Sequence, residues 1–248
     1  MMEITISLIL GNEDRGIIMD NSLGIVIVSA GKGSRMGTLE SKQYLLLQDK
    51  PILIHTLEVF NSMPQVKEIV LVTGQDDVGR VQEWVHEYKM DKVIQVIPGG
   101  SERQHSVYKG LLEIGTEWVM IHDGVRPFVD QADIEGCYQM ALHTGAAVLA
   151  VPVKDTIKQV DGSGIIVDTP DRQSLWAIQT PQTFRVSDLL RSHQEAQRSG
   201  FVGTDDSMLV ERMGIPVAVV KGSYSNIKIT TPDDLEYAAF IEKRKGEG

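Results

Sequence analysis

The chain has little cysteine, few aromatic residues and no long hydrophobic run. Its single cysteine, Cys137, excludes an internal disulfide and is typical of a protein of the reducing cytosol, so we expect a cytoplasmic location. Cys137 lies in a helix-like stretch without the histidine or cationic neighbours of an activated thiolate, which predicts a core-packing role. The apolar stretch at residues 4–10 is too short to span a bilayer, and no basic residues precede it as in a signal peptide.

Basic residues are scarce relative to acidic ones. The formal net charge of −10 argues against a surface that binds nucleic acid or an anionic membrane. Against this background, the closely spaced Lys32, Arg35 and Lys42 indicate a local site for an anion. The composition is otherwise that of a globular protein, with 42% hydrophobic and 23% charged residues.

Strand-like and helix-like stretches alternate along the 248 residues. The predicted strands are residues 24–28, 68–73, 93–97, 118–122 and 146–151. The predicted helices are residues 51–62, 76–89, 101–114, 131–144, 187–199, 204–213 and 231–243. This alternation predicts an α/β fold, a single Rossmann-like domain whose mostly parallel mixed sheet is covered by helices on both faces.

Two segments fall outside this alternation. Residues 1–22 are predicted to be an N-terminal appendage that precedes a domain at residues 23–245. Residues 154–176 contain two short strand-like pieces, 156–160 and 165–169, on either side of the turn-forming sequence D-G-S-G. We predict that this segment is a β-arm that protrudes from the sheet. Such an arm often grips a second subunit, and the alternative is a solvated excursion of the chain.

A glycine-rich loop follows the first predicted strand, with the sequence A-G-K-G-S-R-M-G at residues 30–37. Glycines let backbone N–H groups approach a phosphate closely, and Arg35 and Lys42 can supply charge to a polyphosphate. The spacing excludes two common phosphate loops: a P-loop needs glycine where Val26 stands, and a dinucleotide fingerprint needs glycine where Met36 stands. We therefore predict a nucleotide-binding loop of a third kind. The alternative is a turn with solvated basic residues.

Two further motifs follow predicted strands. Gly99 and Gly100 offer bare backbone before a helix that Ser101 can cap, and this region could recognise the edge of a nucleobase. An ordinary strand-to-helix turn is the alternative. Asp123 ends a buried strand, where open α/β sheets bind their ligands, and it could contact a ribose hydroxyl or Mg²⁺. Arg126 is expected to neutralise Asp123.

Three more residues complete the set of candidates. Arg172, at the base of the arm, is suited to a bidentate phosphate contact or to a surface salt bridge. Lys228 is predicted to lie in a short strand before a helix capped by Thr231, with its side chain pointing into the crevice or into solvent. His122 is assigned to packing at a strand end.

The motifs, in chain order, are G-x-G-x-R-M with K-Q, G-G-x-E-R with S-V, H-D-x-x-R-P, P-V-K-D-T, D-R-x-x-L-W with Q-T-P-Q, T-D-D and N-I-K-x-T. Jointly they resemble the 2-C-methyl-D-erythritol 4-phosphate cytidylyltransferase family over residues 23–241. The resemblance implies a transferase of non-mevalonate isoprenoid biosynthesis. It would join CTP to that sugar-alcohol phosphate with Mg²⁺, giving 4-diphosphocytidyl-2-C-methyl-D-erythritol and pyrophosphate.

The resemblance also implies a role for each candidate residue. Arg35, Lys42 and Lys228 would be catalytic, because they hold the phosphates and stabilise the charge that develops at the α-phosphate. Thr156 and Arg172 would bind the substrate phosphate from the arm of the other subunit of a homodimer. The nucleotide-binding residues would be Ala30, Gly31, Gly33, Gly100, Ser101, Ser106 and Asp123. The last of these would also bind the metal ion.

This chemistry needs no general base, since the attacking phosphate is already an anion. Two positions depart from the family's pattern. Ser101 stands where aspartate is often found, and Pro170 is less usual in this family and resembles the pattern of the related ribitol-5-phosphate cytidylyltransferases. Ribitol 5-phosphate is therefore the alternative acceptor. The alternative from another class is a non-catalytic nucleotide-sensing module. That alternative predicts loss of Arg35, Lys42 or Lys228, and all three are present.

Overall fold

The structure, a computed structural model, describes residues 21–31 and 40–246. Its strands are β1 (Leu23–Ser29), β2 (Leu46–Leu47), β3 (Lys50–Pro51), β4 (Val66–Thr73), β5 (Val93–Pro98), β6 (Trp118–Asp123), β7 (Ala146–Pro152), β8 (Gln159–Val160), β9 (Ile166–Asp168), β10 (Trp176–Arg185) and β11 (Ala218–Lys221). Its helices are α1 (Ile52–Asn61), α2 (Val78–Glu87), α3 (Arg103–Leu111), α4 (Gln131–Thr144), α5 (Val186–Ser199), α6 (Asp206–Arg212) and α7 (Pro232–Gly246). Residues 1–20 of the predicted appendage lie outside the described residues.

Seven strands form the central sheet in the order β11-β7-β10-β6-β1-β4-β5. Strand β10 runs antiparallel to both of its neighbours, and the other pairs are parallel. The five predicted central strands and all predicted helices are present within a few residues of their expected bounds. The predicted α/β fold with a mostly parallel mixed sheet is therefore confirmed.

Each face of the sheet packs against its own layer of helices. In β1, Leu23, Ile25 and Ile27 join a core with apolar residues of α1, α2 and α4. Val26 points to the opposite face and packs with α3, α5 and α6. Successive side chains of a strand alternate between faces, so a strand covered on both sides must be apolar at nearly every position. This is why the central strands could be recognised as short continuous apolar runs.

The sequence did not indicate two strands of the sheet. Strand β10 is not predicted because its Q-T-P-Q segment, residues 179–182, has the composition of a turn, although all four residues are buried. Strand β11 has only four residues at the edge of the sheet. The predicted strand around Lys228 is wrong, because that segment has no regular secondary structure. The predicted cap Ser101 is also wrong, since Glu102 is the N-cap of α3.

The β-arm consists of the antiparallel pair β8 and β9 and the segments that join it to the sheet. Its apolar side chains Val160, Ile165, Ile166 and Val167 are all more than half exposed. The predicted hairpin is thus present, and its apolar surface does not pack onto the core of its own chain. In the described part of the chain, none of the helices combines the length and apolar composition that crossing a bilayer would require.

Candidate active site

A cavity of about 310 Å³ opens at the carboxyl-terminal edge of the sheet, where β1, β5 and β6 end. Parallel strands bring the loops that follow them to one edge, so motifs distant in sequence meet there. The structure brings together around this cavity the predicted residues Ala30, Gly31, Lys42, Gly100, Ser101, Ser106, Asp123 and Lys228. Among the described residues of its wall, three cationic side chains (Lys42, Arg103 and Lys228) outnumber two carboxylates (Glu102 and Asp123), so the cavity suits an anionic ligand.

Gly99 lets the loop after β5 pass close to the loop after β1, and Gly100 lets it pass close to the start of α3. A Cβ added at Gly99 would lie 2.4 Å from the Cβ of Ala30, and one at Gly100 would lie 2.4 Å from the Cβ of His105. The Gly100 N–H donates to Ser106 Oγ at 3.0 Å, and that hydroxyl donates to the Glu102 carbonyl at 3.1 Å. Ser106 therefore fixes the backbone of this wall.

Gln43 holds the start of the glycine-rich loop. Its Nε2 donates to the carbonyl of Ser29 at 2.6 Å and to that of Gly31 at 3.1 Å. The side chain is buried, and Lys42 beside it lines the cavity from a short 3₁₀ turn. This contact explains the glutamine of the K-Q motif, to which the sequence assigned no separate role. Gly33 and Arg35 lie outside the described residues.

Asp123, at the end of β6, is buried among three cationic side chains. Lys228 Nζ lies 2.8 Å from its Oδ2, Arg103 Nε donates to its Oδ1 at 3.1 Å, and Arg126 Nε lies 3.7 Å from Oδ2. Burial opposes ionisation of this carboxyl, but Arg103, Lys228 and Arg126 outweigh it and hold the pKa of Asp123 well below its usual range. Asp123 is therefore a fixed negative charge on the cavity wall.

Tertiary contacts rather than a strand place Lys228 beside Asp123. The Ile229 N–H donates to the Val125 carbonyl at 3.0 Å, and Arg126 Nη1 donates to the Asn226 carbonyl at 2.7 Å. Arg126 is buried, and burial lowers its pKa despite the nearby carboxylate of Asp123. Its expected role of neutralising Asp123 agrees with this geometry, and it has the further role of tying the Lys228 segment to the turn after β6.

His122 is neutral and contacts the turn that follows β6. It is fully buried, and burial lowers its pKa to about 3. Its Nε2 lies 3.1 Å from the Arg126 carbonyl, which can only accept a hydrogen bond, so Nε2 carries the proton. Nδ1 then accepts from Thr180 Oγ1 at 3.1 Å, and that hydroxyl in turn accepts the Asp123 N–H at 3.1 Å. The predicted packing role of His122 thus includes holding the backbone of Asp123.

Arg103 is the arginine of the G-G-x-E-R motif, and the sequence predicts no role for it. It lines the cavity described above and also a second cavity of about 290 Å³, and Asp123 borders both. Its Nη1 donates to Asp206 Oδ2 at 2.7 Å, while its Nε holds Asp123. Arg103 belongs to the G-G-x-E-R motif and Asp206 to the T-D-D motif. Their presence in two motifs of the same family resemblance is the sequence signal that could have indicated a role for them.

Thr156 and Arg172 lie apart from this cavity. Both are exposed on the arm, and Arg172 Nη1 donates to the Lys154 carbonyl at 2.8 Å. The structure of one chain therefore does not bring these two predicted residues to the others. Among the described residues, no three histidine, cysteine, aspartate or glutamate side chains converge as a metal cluster.

Known proteins match nearly the whole chain. A family model described as 2-C-methyl-D-erythritol 4-phosphate cytidylyltransferase matches residues 23–244. Proteins of that name from Desulforamulus reducens and Bacillus velezensis are 49% and 48% identical, over 88% of this chain and 95% of each relative. The crystal structure of 4-diphosphocytidyl-2C-methyl-D-erythritol synthase from Anaerococcus prevotii has a TM-score of 0.79 at 31% identity, covering 89% of this chain and 96% of that one.

Proposed function

The chain belongs to the 2-C-methyl-D-erythritol 4-phosphate cytidylyltransferase family, and we propose that it joins CTP to 2-C-methyl-D-erythritol 4-phosphate in isoprenoid precursor biosynthesis. The products are 4-diphosphocytidyl-2-C-methyl-D-erythritol and pyrophosphate. The observation that carries the proposal is the cavity in which Lys42, Lys228 and the ionised Asp123 meet beside the loop after β1. The chain is accordingly a nucleotidyltransferase rather than a non-catalytic nucleotide sensor.

The reaction is an in-line displacement at the α-phosphate of CTP. A phosphate oxygen of the acceptor forms the new P–O bond as the bond to pyrophosphate breaks, so alignment and charge stabilisation suffice. Lys228, whose Nζ lies 2.8 Å from Asp123 Oδ2, would contact the α-phosphate. Lys42 and Arg35 would hold the triphosphate and stabilise the charge that develops in the transition state.

Cytosine would be recognised mainly by backbone groups of the loop after β5. Ser106 is engaged with Gly100 and Glu102, and Ser101 Oγ pairs with His105 Nδ1 at 2.9 Å. The serine at position 101, where the family often has aspartate, is therefore tolerated if the backbone makes the contact. A mismatched base edge costs about 1–3 kcal/mol, so CTP should be preferred over UTP by roughly 5- to 150-fold in kcat/KM.

Mg²⁺ is the proposed cofactor, with Asp123 as its protein ligand. Mg²⁺ prefers oxygen ligands and usually takes one or two carboxylates together with substrate phosphates. Asp123 is an ionised carboxylate on the cavity wall, and its two oxygens offer about four lone-pair sites, so it can bind an ion beside its contacts with Arg103 and Lys228. When bound, the ion would neutralise charge on the triphosphate.

The second substrate would be held with help from a second subunit. Thr156 and Arg172 are candidates for its phosphate but lie on the exposed arm, away from the cavity of their own chain. The exposed apolar residues of the arm are suited to an interface in a two-fold dimer. We propose a homodimer in which each arm completes the neighbouring site.

We also propose a cytoplasmic location, with Cys137 kept as a buried thiol whose pKa burial raises to about 12.

The decisive assay measures pyrophosphate release from CTP with 2-C-methyl-D-erythritol 4-phosphate and, in parallel, with ribitol 5-phosphate. We expect turnover with the first acceptor, because the two relatives described above are named as 2-C-methyl-D-erythritol 4-phosphate cytidylyltransferases. Their names do not favour ribitol 5-phosphate. Faster turnover with ribitol 5-phosphate would show that ribitol 5-phosphate is the acceptor, and the proposed cytidylyl transfer from CTP would still hold. Absence of release with either acceptor would overturn the proposed function.

A further inference from the structure

Two carboxylates on different elements clamp Arg103. Its Nε donates to Asp123 Oδ1 at 3.1 Å, and its Nη1 donates to Asp206 Oδ2 at 2.7 Å. Arg103 starts α3, Asp123 ends β6 and Asp206 starts α6. The clamp therefore holds the planar guanidinium from two sides, and Arg103 borders both cavities.

Asp206 is a carboxylate that is almost completely buried. Its side chain is 1% exposed, and a carboxylate loses much solvation when it is buried without compensation. Arg103 supplies the compensating charge, and the buried His193 Nε2 lies 3.5 Å from Oδ1 on the opposite side. The neighbouring Asp205 caps α6 by accepting the Met208 N–H, so Asp206 is not needed as the cap.

We propose that Asp206 is a positioning residue for the cytidylyl transfer, which fixes the Arg103 guanidinium between the two cavities and through it the carboxylate of Asp123. This inference rests on the proposed function and adds a residue to its site. Arg103 occupies Oδ1 of Asp123, so that Oδ2 is left to Lys228 at 2.8 Å. Without Asp206, the long Arg103 side chain keeps only one anchor and competes with Lys228 for Asp123.

The first test is Asp206→Asn, which keeps the shape of the side chain and removes its charge. We expect kcat to fall about 10- to 100-fold, as for a small misplacement of reacting groups, while KM for CTP stays unchanged. The matched control is Asp188→Asn: Asp188 also lies in the first turn of a helix and pairs with an arginine, Arg191, at 3.0 Å, but away from both cavities. The control should keep the wild-type kcat. A wild-type kcat in Asp206→Asn would overturn the proposal.

A double-mutant cycle separates positioning from a merely structural role. Arg103→Lys keeps the charge but cannot span both carboxylates, so the clamp is already broken in that variant. In this background Asp206→Asn should cost nothing further in kcat. If the two losses multiply instead, Asp206 acts independently of Arg103, and the proposal fails.

A spectroscopic measurement reads the clamp without activity. The Arg103 Nε–H resonance, assigned by its loss in Arg103→Lys, should exchange slowly with solvent in the wild type. Asp206→Asn should shift this resonance and speed its exchange, and Asp188→Asn should not. An unchanged resonance in Asp206→Asn would overturn the proposal. If the wild type fails to transfer cytidylyl groups, the proposed function falls, and this spectrum still decides whether Asp206 orients Arg103.

Discussion

The cavity at the carboxyl-terminal edge of the sheet and the β-arm are built in opposite ways. Around the cavity, Asp123 and Asp206 are buried and ion-paired, and their partners Arg103 and Lys228 come from distant parts of the same chain. On the arm, Ile165, Ile166 and Val167 are 63%, 56% and 58% exposed. The core of the chain thus fixes the geometry of the cavity, whereas it supplies no packing for the apolar face of the arm.

This difference indicates what fixes the geometry of each part of the proposed site, the cavity and the arm. Buried charges need partners within the fold, so the cavity can be assembled by a single chain. Exposed apolar side chains in a cluster are typical of a surface that another molecule covers. In the proposed homodimer, Arg172 and Thr156 on the arm would need a second subunit for their contact with a cavity. Four experiments probe this contrast.

The largest effect is expected from the basic residues of the cavity. Lys42→Ala and Arg35→Ala should each lower kcat by about two to four orders of magnitude, since each would remove a charge-stabilising donor. Lys158→Ala, a lysine of the arm whose Nζ donates to Thr169 Oγ1, is the control and should keep kcat. Steady-state kinetics decides the point. A variant that keeps kcat and only raises KM for CTP would show a role in ground-state binding instead.

Matched isoleucine truncations compare the packing of the two regions. Ile69→Ala, at a fully buried position of β4, should lower the free energy of unfolding by about 2–5 kcal/mol. Ile166→Ala, on the exposed strand β9, should cost about 0.5 kcal/mol or less at protein concentrations where the chain is monomeric. Urea unfolding at two protein concentrations, with sedimentation velocity, measures both effects. Equal losses at low concentration would show that the arm packs onto its own chain.

Mixed dimers test whether the arm completes a neighbouring site. Lys42→Ala and Arg172→Ala homodimers should both be poorly active, and annealing them together makes half of the dimers mixed. One site of each mixed dimer then has both wild-type residues, so about a quarter of all sites should regain activity. Annealing Lys42→Ala with Lys228→Ala is the control, because these lysines line one cavity of one chain and no intact site can form. No recovery in the first mixture, with heterodimers verified by mass, would remove Arg172 from the neighbouring site.

The smallest effect concerns the buried histidine behind the cavity. The pKa of His122 is about 3 in the folded chain, against about 6.5 when unfolded. The unfolded chain therefore binds the extra proton, so stability is complete above pH 6.5 and falls as the pH is lowered. The slope from this residue approaches about 1.4 kcal/mol per pH unit.

Urea titrations between pH 6.5 and 4.5 measure that slope, which should be smaller in His122→Asn. Asp161→Asn, in the exposed turn of the arm, is the control, because hydrogen bonds from Ser163 lower the pKa of Asp161 and place its titration below this window. An unchanged slope in His122→Asn would mean that His122 is protonated in the folded chain.

Much of the fold and the meeting of several predicted residues at the candidate site could be predicted from the sequence, because their signals are local. Apolar runs of strand length identify β1, β4 and β6, since strands covered on both faces must be apolar throughout. Loops that follow parallel strands meet at one edge, so the motifs around Gly100 and Asp123 could be placed at one site. The turn-forming D-G-S-G sequence likewise indicated the arm.

Only the tertiary structure decided the rest. Strand β10 is polar in sequence and is a strand because β6 and β7 pair with it on both sides. Lys228 lies beside Asp123 because Arg126 and Val125 bind its segment, and no local periodicity encodes those contacts. Arg103 meets Asp206 across two helix starts that adjoin only after the helices have packed on the sheet. Periodicity is a property of neighbours in the chain, whereas the pairing of buried charges depends on which elements the core brings together.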